Sequence, residues 1–204
     1  MLPAILIATA NRHKTNEFRA LLAGRATVDD LHDQPSAGQT EETGTTFEAN
    51  SALKAVAAAR ATGRPAVADD SGLEVDALGG APGVWSSRYA GPDADDHANR
   101  VKLLAELDRI GATDPKHRRA RFRCVLTLAL PDGSVAGQWT GAVEGTILAE
   151  ERGRGGFGYD ALFLPDGRSR SFGELPAAEK NQLSHRARAA AKMVADWDRI
   201  APRL

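Results

Sequence analysis

Short continuous apolar runs that alternate with helical segments constrain the fold of this chain more than any other feature. Ile5-Leu6-Ile7-Ala8 is such a run, typical of a strand buried on both faces. Helical spacing follows over residues 15–23, closed by Gly24, and residues 65–68 are predicted as another short strand that stops at Asp69. Strands that alternate with helices indicate an α/β fold.

A hairpin follows in the second half of the chain. Apolar residues alternate with polar ones over residues 120–130, the period of a half-buried strand. Pro131-Asp132-Gly133 then predicts a turn, and residues 134–149 return as a second strand. Residues 161–164 are predicted as a last short strand, so we expect a long mixed sheet.

Alanine dominates the apolar composition, with 37 alanines against 11 aromatic residues among 204. We therefore predict a core of Ala, Leu and Val with closely packed helices. Thr45-x-x-Glu48 is a capping box that opens an alanine-rich helix ending at Gly63. Two further helices are predicted over residues 95–110 and 184–200. Since no linker separates these elements, we expect residues 1–204 to form a single domain.

Charge and cysteine content exclude several classes of protein. The 26 basic and 27 acidic residues give a net charge of −1, which argues against a nucleic-acid-binding surface. The single cysteine, Cys124, excludes an intrachain disulfide framework. The sequence contains no run of 18 apolar residues, so no membrane-spanning helix is predicted. The first nine residues are apolar but lack the basic segment that begins a signal peptide. We expect a cytoplasmic location without membrane association.

A glycine-rich motif over residues 153–158, Gly-Arg-Gly-Gly-Phe-Gly, matches the dinucleotide-binding pattern G-x-G-x-x-G. That pattern requires a helix directly after the glycines. Here Ala161-Leu162-Phe163-Leu164 predicts a strand instead. We therefore reject a Rossmann site.

Two polar segments follow predicted strands and could bind an anion and a metal. The segment from Thr9 to Lys14 joins the first strand to the first helix, where backbone N–H groups and a lysine favour phosphate binding. The alternative is an ordinary strand-to-helix turn with a surface lysine. Asp69-Asp70-Ser71 offers oxygen ligands for Mg²⁺. Because adjacent strand residues point to opposite faces, we expect one carboxylate in the site and the other bonded to backbone N–H groups.

Two weaker features, an acidic pair and a polar helix face, have a plain alternative, a solvated surface. Glu41-Glu42 could complete a metal site, and Asn50 and Lys54 share one helix face. His185 and Arg186 open the last helix, where the helix dipole disfavours cations, which suggests an anionic or acceptor-rich partner. Four arginines over residues 118–123 are interpreted as the solvated face of a strand.

In chain order these motifs resemble the Ham1 family of inosine and xanthosine triphosphate pyrophosphatases. The motifs are Ala8-Thr9-Ala10-Asn11-x-x-Lys14, Glu41-Glu42-Thr43-Gly44-x-Thr46-Phe47, Ala68-Asp69-Asp70-Ser71-Gly72-Leu73, Leu78-Gly79-Gly80-Ala81-Pro82-Gly83, Gly155-Gly156-Phe157-Gly158-Tyr159-Asp160 and Lys180-x-x-x-Ser184-His185-Arg186.

The resemblance implies a homodimeric α/β protein with a long mixed sheet and two lobes around a central active-site cleft. It implies Mg²⁺-dependent hydrolysis of ITP, dITP and XTP to the nucleoside monophosphate and pyrophosphate, which cleanses the nucleotide pool. The alternatives are a pyrophosphatase of broader or pyrimidine specificity and a non-catalytic nucleotide-binding module.

The resemblance also assigns roles. Glu41 and Asp70 would hold Mg²⁺, and Asp70 would also help to activate the attacking water as the catalytic residue. Lys14, Lys54 and Lys180 would neutralise the phosphates. The implied substrate-binding residues are Thr9, Ala10, Asn11, Arg12, His13, Lys14, Lys54, Ser71, Phe157, Gly158, Tyr159, Asp160, Lys180, His185 and Arg186.

The last residues of that list would determine which base the protein prefers. Phe157 would stack on the base, and Asp160 and His185 would read its edge. Arg186, which has donors and no acceptor, would select a 6-oxo group over the amino group of adenine. The family usually has Gly or Arg where this chain has Ala10, and we expect the small methyl group to leave binding intact.

Overall fold

Six strands form one mixed sheet in the computed structural model, which describes residues 3–9, 11–34 and 40–204, and of His13 the backbone alone. The strands are β1 (Ala4–Ile7), β2 (Thr27–Asp30), β3 (Ala66–Val75), β4 (Arg119–Ala129), β5 (Val135–Ile147) and β6 (Phe163–Pro165). Their order is β2-β1-β3-β4-β5-β6. β1 pairs in parallel with β2 and β3, whereas β5 and β6 are antiparallel. The predicted α/β fold with a mixed sheet is confirmed.

Helices accompany the strands. They are α1 (Arg12–Leu21), α2 (Phe47–Thr62), α3 (Asp96–Arg109), α4 (Ala177–Leu183), α5 (His185–Ala195) and α6 (Trp197–Ile200). Short 3-10 turns lie at Asp76–Leu78, Gly83–Arg88, Pro115–His117, Asp160–Leu162 and Ala201–Arg203. The glycine-rich motif leads into a 3-10 turn and β6, so the exclusion of a Rossmann site is confirmed.

The chain divides into two compact units. The first comprises Met1–Asp70, Cys124–Gly141 and Arg186–Leu204, and the second comprises Ser71–Arg123 and Ala142–His185. β3, β4 and β5 each contribute residues to both units. Two of the boundaries fall inside predicted site motifs, between Asp70 and Ser71 and between His185 and Arg186.

The first unit packs helices on both faces of its strands. Ile5, Ile7 and Val67 lie in one core with residues of α1, α5 and α6. The opposite face packs on α2 almost entirely through alanine, in a cluster of Leu6, Ala8, Ala55, Ala58, Ala59, Ala66, Ala68 and Ala129. Side chains this small let a helix approach a sheet closely, as the alanine-rich composition predicted.

The second unit has a separate core. Leu103 and Leu107 of α3 pack with Leu73 and Val75 of β3. A cluster of aromatic rings completes this core, in which Phe122 and Phe163 meet edge to face with their centroids 4.7 Å apart. Three of the chain's six phenylalanines, Phe122, Phe163 and Phe172, therefore pack in the core of this unit.

Several predicted boundaries are wrong, and each has a local cause. β3 does not stop at Asp69 but continues to Val75, because the two carboxylates are paired with cations inside the fold. The helix over residues 47–62 is capped by Thr46, not Thr45, since the Thr46 hydroxyl accepts the Ala49 N–H. The predicted last helix is two helices, α5 and α6, and the seven-residue α4 was not predicted.

Arg118 is a further correction. We predicted it on a solvated strand face, yet it is buried, and its guanidinium donates to the Ala112 and Leu148 carbonyls and to Asp108. A guanidinium has five donors, so it can satisfy several acceptors at once inside the second unit.

Candidate functional site

An acidic pair on β3, Asp69 and Asp70, forms the centre of the candidate site in the first unit. Both side chains are buried, with 2% and 6% of each residue exposed. Neighbouring residues of a strand point to opposite faces. Their partners separate accordingly, because Asp69 contacts side chains of α1 and α5 whereas Asp70 contacts a side chain of α2.

Asp69 is held by two cations. The Lys14 ammonium lies 3.0 Å from its Oδ1, and Nη2 of Arg186 lies 3.0 Å from its Oδ2. Burial alone raises the pKa of a carboxyl, but the charges of Lys14 and Arg186 outweigh it and hold the pKa of Asp69 far below its ordinary value. Both carboxylates pair with cations, and the bonding of one of them to backbone N–H groups stays a prediction.

Arg186 is the most deeply buried cation of this group, with 2% of the residue exposed. It donates to Glu17 as well as to Asp69. Burial would lower the pKa of a guanidinium, but these two carboxylates raise the pKa of Arg186 above its ordinary value. Arg186 is thus charged and fixed in orientation.

Asp70 has a different environment. Its Oδ1 accepts from the Lys54 ammonium at 2.7 Å, and the same ammonium donates to Glu42 at 2.7 Å. Burial raises the pKa of Asp70 to about 6 despite Lys54, and the negative charge of Glu42 adds to the increase. The second oxygen, Oδ2, is buried and has no hydrogen-bond partner among the residues that the structure describes. A buried carboxylate oxygen without a partner is a group that a divalent cation can coordinate.

The turn between β1 and α1 has the hydrogen bonds of a helix cap. The Thr9 hydroxyl accepts the Asn11 N–H at 3.1 Å, and Asn11 Oδ1 accepts the Lys14 N–H at 3.4 Å. Asn11 therefore stands at the N-cap of α1. Arg12 is exposed on the first turn. Ala10 and the side chain of His13 lie outside the described residues.

The acidic segment before α2 is anchored by Asn50. Glu41 is exposed and Glu42 is half-buried. The Gly44 N–H donates to Asn50 Oδ1 at 2.8 Å. A Cβ at Gly44 would lie 2.6 Å from that oxygen, so only glycine allows this approach to α2.

In the second unit, Asp160 joins the glycine-rich motif to α4. Its Oδ2 accepts the Phe157 N–H at 2.8 Å and the Lys180 ammonium at 2.5 Å. The ammonium also lies 4.8 Å from the centroid of the Phe157 ring. Gly156 has φ +75°, and a Cβ there would lie 2.0 Å from Asp160 Oδ2, which explains why glycine precedes Phe157.

The remaining predicted residues of this unit differ in exposure. Tyr159 is buried, and its hydroxyl donates to the Ser86 carbonyl at 2.9 Å. His185 is buried and stacks on the Phe122 ring with centroids 5.0 Å apart. Ser71 is half-buried. Phe157, Gly158 and Asp160 line a cavity of about 720 Å³.

Sequence reasoning missed three polar residues that support this geometry. Glu17 binds Arg186, and Asp96 and Arg100 bind the backbone of Gly158. A signal was present in the spacing, since Glu17 follows Lys14 by three residues and Arg100 follows Asp96 by four, which places each pair on one helix face. The spacing did not identify the residues that these side chains bind, which are Arg186 in the first unit and Gly158 in the second.

Within residues 3–9, 11–34 and 40–204, no group of three or more His, Cys, Asp or Glu side chains is arranged to hold a metal ion. Mg²⁺ often binds through one or two carboxylates together with substrate phosphates and water, so two carboxylates suffice for such a site. Over the same residues, no helix is both long and apolar enough to cross a membrane.

Comparison with known proteins agrees with this arrangement of motifs. The model of the Ham1 family matches residues 5–196, which is most of the 204-residue chain. The chain belongs to the Ham1 family. The expected resemblance is therefore confirmed.

Relatives and solved structures of this family cover nearly all of the chain. A dITP/XTP pyrophosphatase of Geobacillus kaustophilus is 49% identical over 96% of this chain and 95% of its own length. One from Bacillus licheniformis is 46% identical over 95% and 97% of the two chains. A HAM1 protein from Coxiella burnetii has the same fold, with a TM-score of 0.86 and 39% identity over 96% of this chain and 98% of that chain.

Proposed function

We propose that this Ham1-family chain hydrolyses dITP, XTP and ITP to the nucleoside monophosphate and pyrophosphate. The observation that carries the proposal is the buried acidic pair on β3, in which each carboxylate is paired with a lysine and Asp70 Oδ2 has no hydrogen-bond partner within the described part of the chain. Membership of a family whose relatives are named dITP/XTP pyrophosphatase supports the choice of substrate.

The residues around Asp70 fit a divalent cation. Its Oδ2, to which no described residue hydrogen-bonds, supplies one hard oxygen, and we propose Glu41 as the second ligand, with Glu42 beside it. Mg²⁺ bound there would neutralise phosphate charge and lower the pKa of a coordinated water.

We propose that lysines and the turn between β1 and α1 bind the phosphates. A nucleoside triphosphate brings nearly four negative charges, and we propose that Lys14, Lys54 and Lys180 neutralise them, with the N–H groups and side chains of Thr9 to Lys14 and the Ser71 hydroxyl. Each of these lysines is paired with a carboxylate before substrate arrives, Lys14 with Asp69, Lys54 with Asp70 and Lys180 with Asp160. Such preorganised charge is the largest contribution to catalysis of phosphoryl transfer.

Asp70 is the proposed catalytic residue. A carboxylate with a pKa of about 6 is mostly ionised at neutral pH yet basic enough to accept a proton from water. The water oxygen bonds to the α-phosphorus, the bond from that phosphorus to the bridging oxygen breaks, and pyrophosphate leaves with the electron pair. The proton of the water passes to Asp70.

Base recognition is proposed for Phe157, Tyr159, Asp160, His185 and Arg186. Phe157 offers a ring to stack on the base, and the donors of Arg186, which is held by Asp69 and Glu17, suit a 6-oxo group. Asp160 and His185 are proposed to read the edge of the base, and Tyr159 completes the set. Adenine presents an amino group at the same position and leaves these donors unmatched.

A pyrophosphate-release assay over a panel of nucleotides tests the proposal. With Mg²⁺ present, dITP and XTP should be turned over well and dATP and dGTP poorly, and Asp70→Asn should abolish turnover while the protein stays folded. Equal turnover of pyrimidine nucleotides would instead indicate a broader enzyme. Binding of ITP without turnover would indicate a non-catalytic module.

We also propose a cytoplasmic homodimer. The proposed substrates are free nucleotides, which agrees with a cytoplasmic location. For the interface we propose residues 78–91, where Trp85 is 54% exposed with the Arg88 guanidinium 4.6 Å from its ring centroid. Trp85→Ala should convert a dimer to a monomer in light scattering, and an unchanged mass would contradict the interface.

A further inference from the structure

Helix α3 binds both polar groups of a single glycine in the Phe157 loop. Asp96 Oδ2 accepts the Gly158 N–H at 2.6 Å, and Nη1 of Arg100 donates to the Gly158 carbonyl at 2.8 Å. Asp96 and Arg100 are four residues apart, so they lie on the same face of α3. Two hydrogen bonds at opposite ends of one residue fix both its position and its orientation.

The two side chains that hold Gly158 are themselves held. The Arg100 Nε donates to Glu151 at 2.9 Å, and this hydrogen bond holds the pKa of Glu151 below its ordinary value. Asp95 caps the helix by accepting the Ala98 N–H at 2.7 Å. The holding groups therefore project from a capped helix rather than from a loop, which makes their positions well defined.

Gly158 needs such support because of its own conformation. Its φ of +58° lies in the left-handed region, and the residue has no side chain to pack. It directly follows Phe157 and stands two residues before Asp160. Any rotation of its peptide groups would move the aromatic ring and the carboxylate that the proposed base site uses.

We propose that Asp96 and Arg100 are positioning residues that set base preference by fixing Gly158, and through it Phe157 and Asp160. The inference rests on the proposed function and deepens it, since it assigns the selectivity of the base site to groups behind the loop. Both residues line the same 720 Å³ cavity as Phe157, with their described polar contacts directed to Gly158 and Glu151.

Steady-state kinetics of Arg100→Met and Asp96→Ala test the assignment. Removing either hydrogen bond should raise KM for dITP about tenfold and reduce the preference for dITP over dATP, with kcat within about twofold, because Asp70 and Lys54 are unchanged. Asp96→Asn keeps an acceptor for the Gly158 N–H and should restore a KM near that of the wild type. Arg109→Met on the same helix is the control, since Arg109 is exposed and pairs with Glu106.

Hydrogen exchange of residues 154–160 gives a readout that does not depend on activity. Exchange should be faster in Arg100→Met and Asp96→Ala than in Arg109→Met. Unchanged exchange would overturn the assignment, and so would faster exchange with an unaltered KM and nucleotide preference. If the wild type turns over neither dITP nor XTP, the proposed function fails, and the affinity for dIMP in calorimetry then decides whether Asp96 and Arg100 shape a base site.

Discussion

At the scale of single residues, two adjacent aspartates have pKa values shifted in opposite directions because their partners differ. Asp69 faces two cations, and its pKa is lowered. Asp70 shares one lysine with Glu42, and its pKa is raised to about 6. The first is thus a permanent anion that orients Lys14 and Arg186, whereas the second is able to exchange a proton near neutral pH.

Lys54 should be essential to this division of roles. Lys54→Met would leave Asp70 and Glu42 without their shared cation, so we expect kcat/KM for dITP to fall about 100-fold or more. The pKa of Asp70 should rise further, which would shift the acid limb of the pH–rate profile to higher pH. Kinetics from pH 5 to 9 measure both effects.

Lys116→Met is the matched control for that experiment. Lys116 pairs with Asp114 at the surface, with 69% of its side chain exposed. Its substitution should therefore leave the pH–rate profile unchanged. A Lys54→Met enzyme within about threefold of the wild type would contradict the role given to the lysine.

At the scale of elements, the start of α2 decides where the acidic segment is placed. Thr46 caps the helix, and four residues later Asn50 binds the Gly44 N–H. Thr46→Ala should destabilise the protein by about 1 kcal/mol, the usual cost of losing an N-cap. Thr45→Ala is the control, because Thr45 is exposed and is not the cap. In urea unfolding, the free energy of unfolding of this variant should be close to that of the wild type. Equal effects of the two substitutions would contradict the assignment.

The elements also show what the sequence could predict. The capping box located α2 to within one residue of its cap, and Gly63 marked its end, because these signals are local. The end of β3 was mispredicted because the cations that neutralise Asp69 come from residues 14 and 186, far away in the chain. Motif order proposed a set of site residues, which stays a prediction, whereas the contact between Lys180 and Asp160 depends on tertiary structure.

At the scale of the whole molecule, the net charge of −1 hides buried ion pairs in each of the two units. Because β3, β4 and β5 contribute to both units, we propose that residues 1–204 act as one domain. The chain therefore should unfold in one cooperative transition whose free energy depends on the buried carboxylates.

Asp69 should dominate the acid sensitivity of that transition. Its pKa is lower in the folded than in the unfolded state, so its ionised form stabilises the fold above the unfolded pKa of about 4 and that contribution is lost as the pH falls further. Asp69→Asn should lower the free energy of unfolding by about 3–5 kcal/mol at pH 7. Between pH 5 and 3, the variant should lose less of its free energy of unfolding than the wild type does.

Asp166→Asn provides the comparison for that measurement. Asp166 pairs with Arg119 at the surface with 52% of its side chain exposed, so its replacement should cost less than about 1 kcal/mol. Urea unfolding at each pH measures both variants. An Asp69→Asn protein as stable as the wild type at pH 7 would contradict the structural role of the buried pair.

The most direct test of the central claim is the position of the bond that breaks. Hydrolysis of dITP in water enriched in ¹⁸O, followed by mass spectrometry of the products, shows which phosphorus the water attacks. Attack at the α-phosphorus, assisted by Asp70, predicts one ¹⁸O in dIMP and none in pyrophosphate. Label in pyrophosphate, or release of dIDP and inorganic phosphate, would contradict the proposed reaction.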